Sequence, residues 1–360
     1  MSGARSVGRV STDLVGPSAG APAPAPAAPG PTGRPRLRGV DVLRGLAVVG
    51  MLLVDDRGNG SIAAQLHHEA WDGLHVADVV FPVFLLVVGV SMPFSRRADR
   101  PRAALLRVAK LAVLGCLLVA AKHGWGGLGP GVLGHIAGGY LLCWLLLRLP
   151  RAAQLPVAVA GLAGLTAASL LAGTGTGRSW GSAVDGVLGL PLSAEAPHAY
   201  LGSALTVYLG VLAGRVLQAA PGRPAVVRLV AGGSALLVAG LALHAAVPLN
   251  KRLWSPSFVL VTGGIALLAL ALVHWLVDGR GVHRAFRPAE VLGLNAIVAF
   301  VFSELVFRAV LSRGVQPAVD RWVGSLVGTV ASAWLYPAAA ITVIWAVCAG
   351  LARRGVVVRI

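Results

Sequence analysis

Charge is scarce in this chain. Only 12% of its 360 residues are Asp, Glu, Lys or Arg, against 56% hydrophobic, where soluble domains carry roughly 25% charged residues. That shortage excludes an ordinary soluble enzyme and implies helices that satisfy their backbone hydrogen bonds internally in lipid. Acids are scarcer still, 14 against 31 basic residues. The resulting charge of +17 does not point to nucleic acid, because the arginines cluster in short loops between apolar stretches, where they set membrane topology. Cysteine is limited to Cys116, Cys143 and Cys348, all inside apolar stretches. They read as small core hydrophobes, and no disulfide framework is implied. Lysine is limited to Lys110, Lys122 and Lys251. No internal repeat of the kind that marks inverted-repeat transporters is visible.

The expected fold is all-α: a polytopic transmembrane helix bundle of about ten spans, each needing roughly 20 residues to cross the hydrocarbon. The apolar stretches lie near 40–54, 76–94, 104–121, 132–149, 155–173, 201–219, 226–247, 256–277, 289–311 and 333–352. Residues 1–36, built from Ala, Pro, Gly and Ser with scattered Arg, cannot bury a core and read as a disordered cytoplasmic arm without the apolar segment of a signal peptide. Residues 37–360 form the transmembrane domain. Arginine dominates the loops at 96–102, 148–151, 215–228 and 280–287, on the side of both ends of the chain. The positive-inside rule therefore puts both termini in the cytoplasm, in a cell membrane. The loops carrying His68 and Lys251 then face outward.

The stretch from His68 to Ser91 carries a histidine, Trp71, Asp72 and Asp78 where the chain enters an apolar span. Ionisable groups against a membrane span are costly and mark functional sites. The plainer reading is an interfacial loop capped by Asp78 and anchored by Trp71. His67, His68 and His75 lie near acids, but adjacent histidines point apart and no H-x-x-x-H pair or thiolate accompanies them, so no metal is expected. Acid–base or nucleophilic work by one histidine, oriented by a carboxylate, fits better.

Other polar residues sit in or beside spans. Asp41 and Arg44 are three apart and pair on one helical face, or receive a ligand phosphate. Asp55 and Asp56 close the first span against the helix dipole, an unfavourable placement that suggests use. Asn250 and Lys251 precede Trp254, which reads as an interfacial anchor. Asn295 reads as an interhelical hydrogen-bonder and Glu304 as the partner of Arg308. His135 reads as a satisfied core histidine.

Four blocks together resemble the heparan-α-glucosaminide N-acetyltransferase family of membrane acetyltransferases and its bacterial relatives. They are Val-Asp-Val-Leu-Arg-Gly at 40–45; His68-x-x-Trp71-x-Gly73 with Ala77-Asp78, Phe81-Pro82 and Gly89-Val-Ser91; Gly131-Val-Leu with Tyr140; and Pro248-x-Asn250-Lys251 through Trp254, Ser257 and Phe258, with Gly293-x-Asn295 downstream. The resemblance spans residues 38–310. It implies an acyltransferase that passes the acetyl group of cytosolic acetyl-CoA to the amine of an outward-facing sugar or envelope glycan. It implies His68 as base or transient acetyl carrier, oriented by Asp55 or Asp78. Trp71, Asn250, Lys251, Trp254 and Asn295 would line the acceptor pocket, and Asp41, Arg44 and His135 the acetyl-CoA site. Asp55 stands where the family carries Asn, and Gly134-His135 where it carries Gln-Arg. The lipid bilayer is the expected partner, and a homodimer is left open. The rival reading is a small-solute or envelope-precursor transporter using Asp78 and Glu304 as proton-relay acids; a third is a catalytically inactive relative.

Overall fold

The computed structural model describes residues 37–56, 62–95, 98–124, 131–189 and 195–358. The expected arm over residues 1–36 lies outside them. Among the described residues the chain is helical, with no strand beyond one isolated bridge between Thr174 and Ser179. The helices are α1 (Arg38–Asp55), α2 (Val76–Ser91), α3 (Pro101–His123), α4 (Gly131–Leu146), α5 (Arg151–Ala172), α6 (Trp180–Val187), α7 (Tyr200–Ala219), α8 (Arg223–His244), α9 (Pro256–Val273), α10 (Arg287–Leu294), α11 (Ala296–Phe302), α12 (Val315–Val327) and α13 (Thr329–Arg353). Stretches such as the Val- and Phe-rich α2 have strand-like composition, but a lone segment in lipid must satisfy its own backbone, and helix wins.

The ten apolar stretches land on α1–α5, α7–α9, the α10–α11 pair and α13. Seven of these helices are long and apolar enough to cross a membrane, or eight if the bent α10–α11 pair is one span. Two expected spans fall short of that standard for different reasons. In α1 the cause is charge, since Arg38, Asp41, Arg44 and Asp55 share 18 residues. In α4 it is length, 16 residues, or about 24 Å at 1.5 Å per residue.

The helices sort into an inner and an outer group. The segment led by α9 is 78% buried within the protein, whereas α5 and α8, nearly as apolar, are 17% buried. The outer helices therefore turn apolar surface toward lipid. The inner ones are drawn together by small residues, the usual device where lipid removes any hydrophobic drive between helices. A methyl group on Gly45 would overlap the Ala289 carbonyl, and one on Gly293 the Asp41 carbonyl, so α1 and α10 touch backbone to backbone. Gly89 and Gly210 do the same for α2 and α7.

Because α1 and α2 both run the length of this inner group, they carry two polar layers at opposite ends. Asp41 and Arg44 sit at the start of α1 and meet Ser91 at the end of α2. Asp55 and Asp56 end α1 near the start of α2. Fourteen residues separate Asp41 from Asp55, about 21 Å of helix.

Candidate active site

The start of α2 builds the first layer. Asp78 stands in its first turn, where the helix dipole favours an anion. Its Oδ2 accepts the backbone N–H of His75 at 3.1 Å and of Glu69 at 3.0 Å. The carboxylate thus caps the helix, as the plainer reading held, and folds the 67–75 loop over itself. Its other oxygen, Oδ1, lies 2.8 Å from His68 Nδ1. A carboxylate only accepts, so Nδ1 donates and Nε2 keeps the lone pair. The His68 side chain is 42% exposed and that of Asp78 1%. The His68 ring is therefore reachable while the carboxylate that holds it is dry.

Lys251 completes the cluster from a segment distant in the chain. Its Nζ lies 3.1 Å from His68 Nδ1, 3.3 Å from Nε2 and 3.7 Å from Asp78 Oδ1. Burial pushes the Lys251 ammonium below its usual range, against the opposing pull of Asp78. The turn that delivers it is internally knotted. Asn250 Oδ1 accepts the N–H of Leu253 at 2.9 Å, Ser255 Oγ accepts that of Asn250 at 3.1 Å, and Ser255 and Ser257 both donate to the Pro248 carbonyl. Trp254 sits in the left-handed region at φ 50°, a conformation that costs a non-glycine residue energy and persists only where its surroundings over-determine it.

Two further links join this turn to the His68 loop. Gly73 N–H donates to the Leu249 carbonyl at 3.0 Å, and Leu249 N–H donates to Asp72 at 3.0 Å. Gly73 has φ 142°, outside the range side chains favour, which is why glycine ends the His-x-x-Trp-x-Gly run. Trp71 donates its indole N–H to the Thr174 carbonyl at 2.9 Å, tying in the long loop before α6.

His68 opens onto a cavity of about 380 Å³. Asp55, Lys122, Glu195, Glu304 and Arg308 share its wall with apolar side chains from α3, α4 and Phe300. Asp55 does not hydrogen-bond His68; it faces Arg308 at 3.6 Å, and Arg308 also holds Glu304 at 2.5 Å. Lys122 pairs with Glu304 from the other side. Asp56 takes a hydrogen bond from Ser303 Oγ at 2.7 Å. The two acids that oppose the α1 dipole thus both meet the 303–308 segment, Asp55 through an ion pair and Asp56 through a neutral hydroxyl. Sequence spacing found the Glu304–Arg308 pair but gave no sign of Lys122, which lies a long way off in the chain.

The structure does not bring the remaining candidates to this cluster. Trp254 is corrected from an interfacial anchor to a core residue. It is wholly buried, with its ring against Phe81, His135 and Phe258. His135 lies in the same aromatic group, also wholly buried, bonded to Ser203 Oγ. Asn295 stands at the 80° break between α10 and α11. There its Oδ1 accepts the N–H of Val358 at 2.9 Å and its Nδ2 donates to the Val356 carbonyl at 3.3 Å. Arg44 belongs to that opposite layer as well. It donates to Asp41 at 2.8 Å, Ser91 Oγ at 2.8 Å and the Gly293 carbonyl at 3.4 Å. Among the described residues, no group of three or more His, Cys, Asp and Glu could hold a metal ion.

Residues 36–181 match the family described as heparan-alpha-glucosaminide N-acetyltransferase, catalytic. That stretch holds Arg44, Asp55, His68 and Asp78, and ends before the Lys251 turn. The heparan-alpha-glucosaminide N-acetyltransferase of Homo sapiens is 26% identical in an alignment covering 75% of this chain and 53% of the human protein. The protein of the same name from Mus musculus is 47% identical over 57 residues, 16% of this chain and 8% of its own. The chain spans about half the length of the human relative.

Proposed function

We propose that this chain is a member of the heparan-α-glucosaminide N-acetyltransferase family, and that residues 37–360 form a membrane acetyltransferase domain in which His68 performs acetyl transfer from acetyl-CoA to an amine. The observation that carries this reading is the exposed His68 ring, fixed at Nδ1 by buried Asp78 and opening onto a polar cavity. In direct transfer the acceptor nitrogen attacks the thioester carbonyl, its proton passes to His68 Nε2, and the carbon–sulfur bond breaks to release CoA. In the two-step alternative, His68 Nε2 attacks the carbonyl and the carbon–sulfur bond breaks to release CoA; the amine then attacks the acetyl-histidine, the carbon–Nε2 bond breaks, and the amine proton passes to the freed Nε2. Asp78 holds the ring in the required tautomer in either route. Lys251 stands where it can stabilise charge developing on the carbonyl oxygen.

The acceptor is an aminosugar or envelope glycan on the outer face of the cell membrane, with both termini in the cytoplasm. Its hydroxyls and amine suit the mixed charges of Asp55, Glu304, Lys122 and Arg308. The phosphates of acetyl-CoA are assigned to Arg44 at the opposite layer, in competition with Asp41. His68→Ala is expected to abolish transfer from labelled acetyl-CoA to glucosamine, a loss of about 10²–10⁴-fold or more for a general base. Its elution profile in detergent should be unchanged. Full activity in that variant overturns the role of His68. Recovery of labelled acetyl-protein in the absence of acceptor selects the two-step route.

A further inference from the structure

Behind the Lys251 turn lies a histidine–carboxylate pair that the transfer chemistry does not use. His198 precedes α7, and Asp185 lies in α6. Both side chains are fully buried. His198 Nδ1 is 2.7 Å from Asp185 Oδ2, and its backbone N–H points at Oδ1 of the same carboxylate at 3.4 Å. Its Nε2 is 2.8 Å from the backbone carbonyl of Arg252. Both ring nitrogens face oxygen atoms, and the ring spans from α6 to the residue next to Lys251.

The surroundings are built for this contact. A methyl group on Gly181 would press within 2.9 Å of both the His198 ring and Leu253. The Trp180 ring packs edge-on to His198 with centroids 5.3 Å apart. The turn being held is the one that stores backbone strain at Trp254. Its internal hydrogen bonds run through Asn250, Ser255 and Ser257, while the Arg252 carbonyl is taken from outside the turn by His198 alone among the contacts seen in the described residues.

Building on the proposed role of the His68 cluster, we propose that His198, braced by Asp185, is a positioning residue that fixes Lys251 against His68 by holding the carbonyl of Arg252. Neither His198 nor Asp185 touches the cavity in which transfer would take place. Their effect passes through one peptide unit to Lys251. A misplacement of about 1 Å is enough to cost a reaction up to 10²-fold.

Two measurements on the full chain in detergent test this, one of them independent of catalysis. The first is acylation of lysines by an amine-reactive acetylating reagent, read by peptide mass. The chain has only Lys110, Lys122 and Lys251, so the other two serve as internal references. Lys251, 16% exposed, should react several-fold faster in His198→Ala, with Lys110 and Lys122 unchanged. The second is a double-substitution cycle on acetyl transfer. His198→Ala should lower kcat about tenfold in the wild-type background and add nothing to Lys251→Ala, because an effect exerted through Lys251 disappears with it. Asp185→Asn keeps an acceptor for Nδ1 and should shift both readouts in the same direction by less; it replaces His198→Ala if that variant does not fold. Unchanged Lys251 labelling, equal acceleration at all three lysines, or fully additive losses would each overturn the proposal. If the wild type shows no acetyl transfer, the proposed function fails, while the labelling still decides whether His198 holds Lys251.

Discussion

The two polar layers of this bundle use charge in opposite ways. At the Arg44 end the polar groups are spent on the protein itself. Arg44 serves Asp41, Ser91 and the Gly293 carbonyl, and Asn295 grips the backbone at Val356 and Val358. Glycine-mediated contact of α1 and α10 leaves little space between them. At the His68 end the helices stand apart around a cavity of about 380 Å³, and the charges of His68, Asp55, Lys122, Glu304 and Arg308 line it. Pairing fixes these side chains without filling the space between them. A polar group inside a membrane bundle is costly in either layer, and the open layer sets its paired charges around a space that a solute can enter.

Variants that remove one polar partner at a time sharpen the contrast. The largest effect is expected from Asp78→Asn. It removes the anionic partner of His68 and weakens the cap of α2, so transfer should fall by about 10²-fold or more while the bundle stays assembled. Near-normal kcat would show that His68 needs no orienting acid. Arg44→Ala comes next and should act on stability instead. It removes the guanidinium from the buried Asp41 carboxylate and unties α1 from α2 and α10, at a cost of about 2–3 kcal/mol, read as a lower Tm in detergent. A raised KM for acetyl-CoA with Tm unchanged would make the donor, not the bundle, the main client of Arg44. The smallest effect is expected from Asn295→Ala. Loss of two hydrogen bonds to the chain after α13 should cost about 1–2 kcal/mol and speed carboxypeptidase trimming of that segment. Loss of transfer without faster trimming would instead return Asn295 to the acceptor pocket.

Reading these sites from the chain alone worked where the contact was local or helical. His68 and Asp78 are ten apart and joined by one loop. Asp41–Arg44 and Glu304–Arg308 obey the three- and four-residue spacing of a helix face. Distance in sequence defeated the rest. Nothing near Lys122 announces Glu304, and nothing near Asp185 announces His198 or Arg252. Asn295 was legible as a hydrogen-bonder, but not its partners, the backbone at Val356 and Val358 some sixty residues on. Trp254 misled: a tryptophan flanking an apolar span has the signature of an anchor, while its burial depends on α2, α4 and α7 closing around it.

By itself the sequence determined that this is an all-helical membrane protein, where its apolar segments fall, and that His68 stands beside a carboxylate at the mouth of one of them. Hydropathy and helix periodicity act over a few turns, and lipid leaves a lone segment little choice but helix. Tertiary structure alone decided which polar layer opens and which closes, that Lys251 joins His68, and that His198 stands behind Lys251. Those outcomes rest on helices meeting at glycine contacts and on side chains matched across long stretches of chain, which no local pattern encodes.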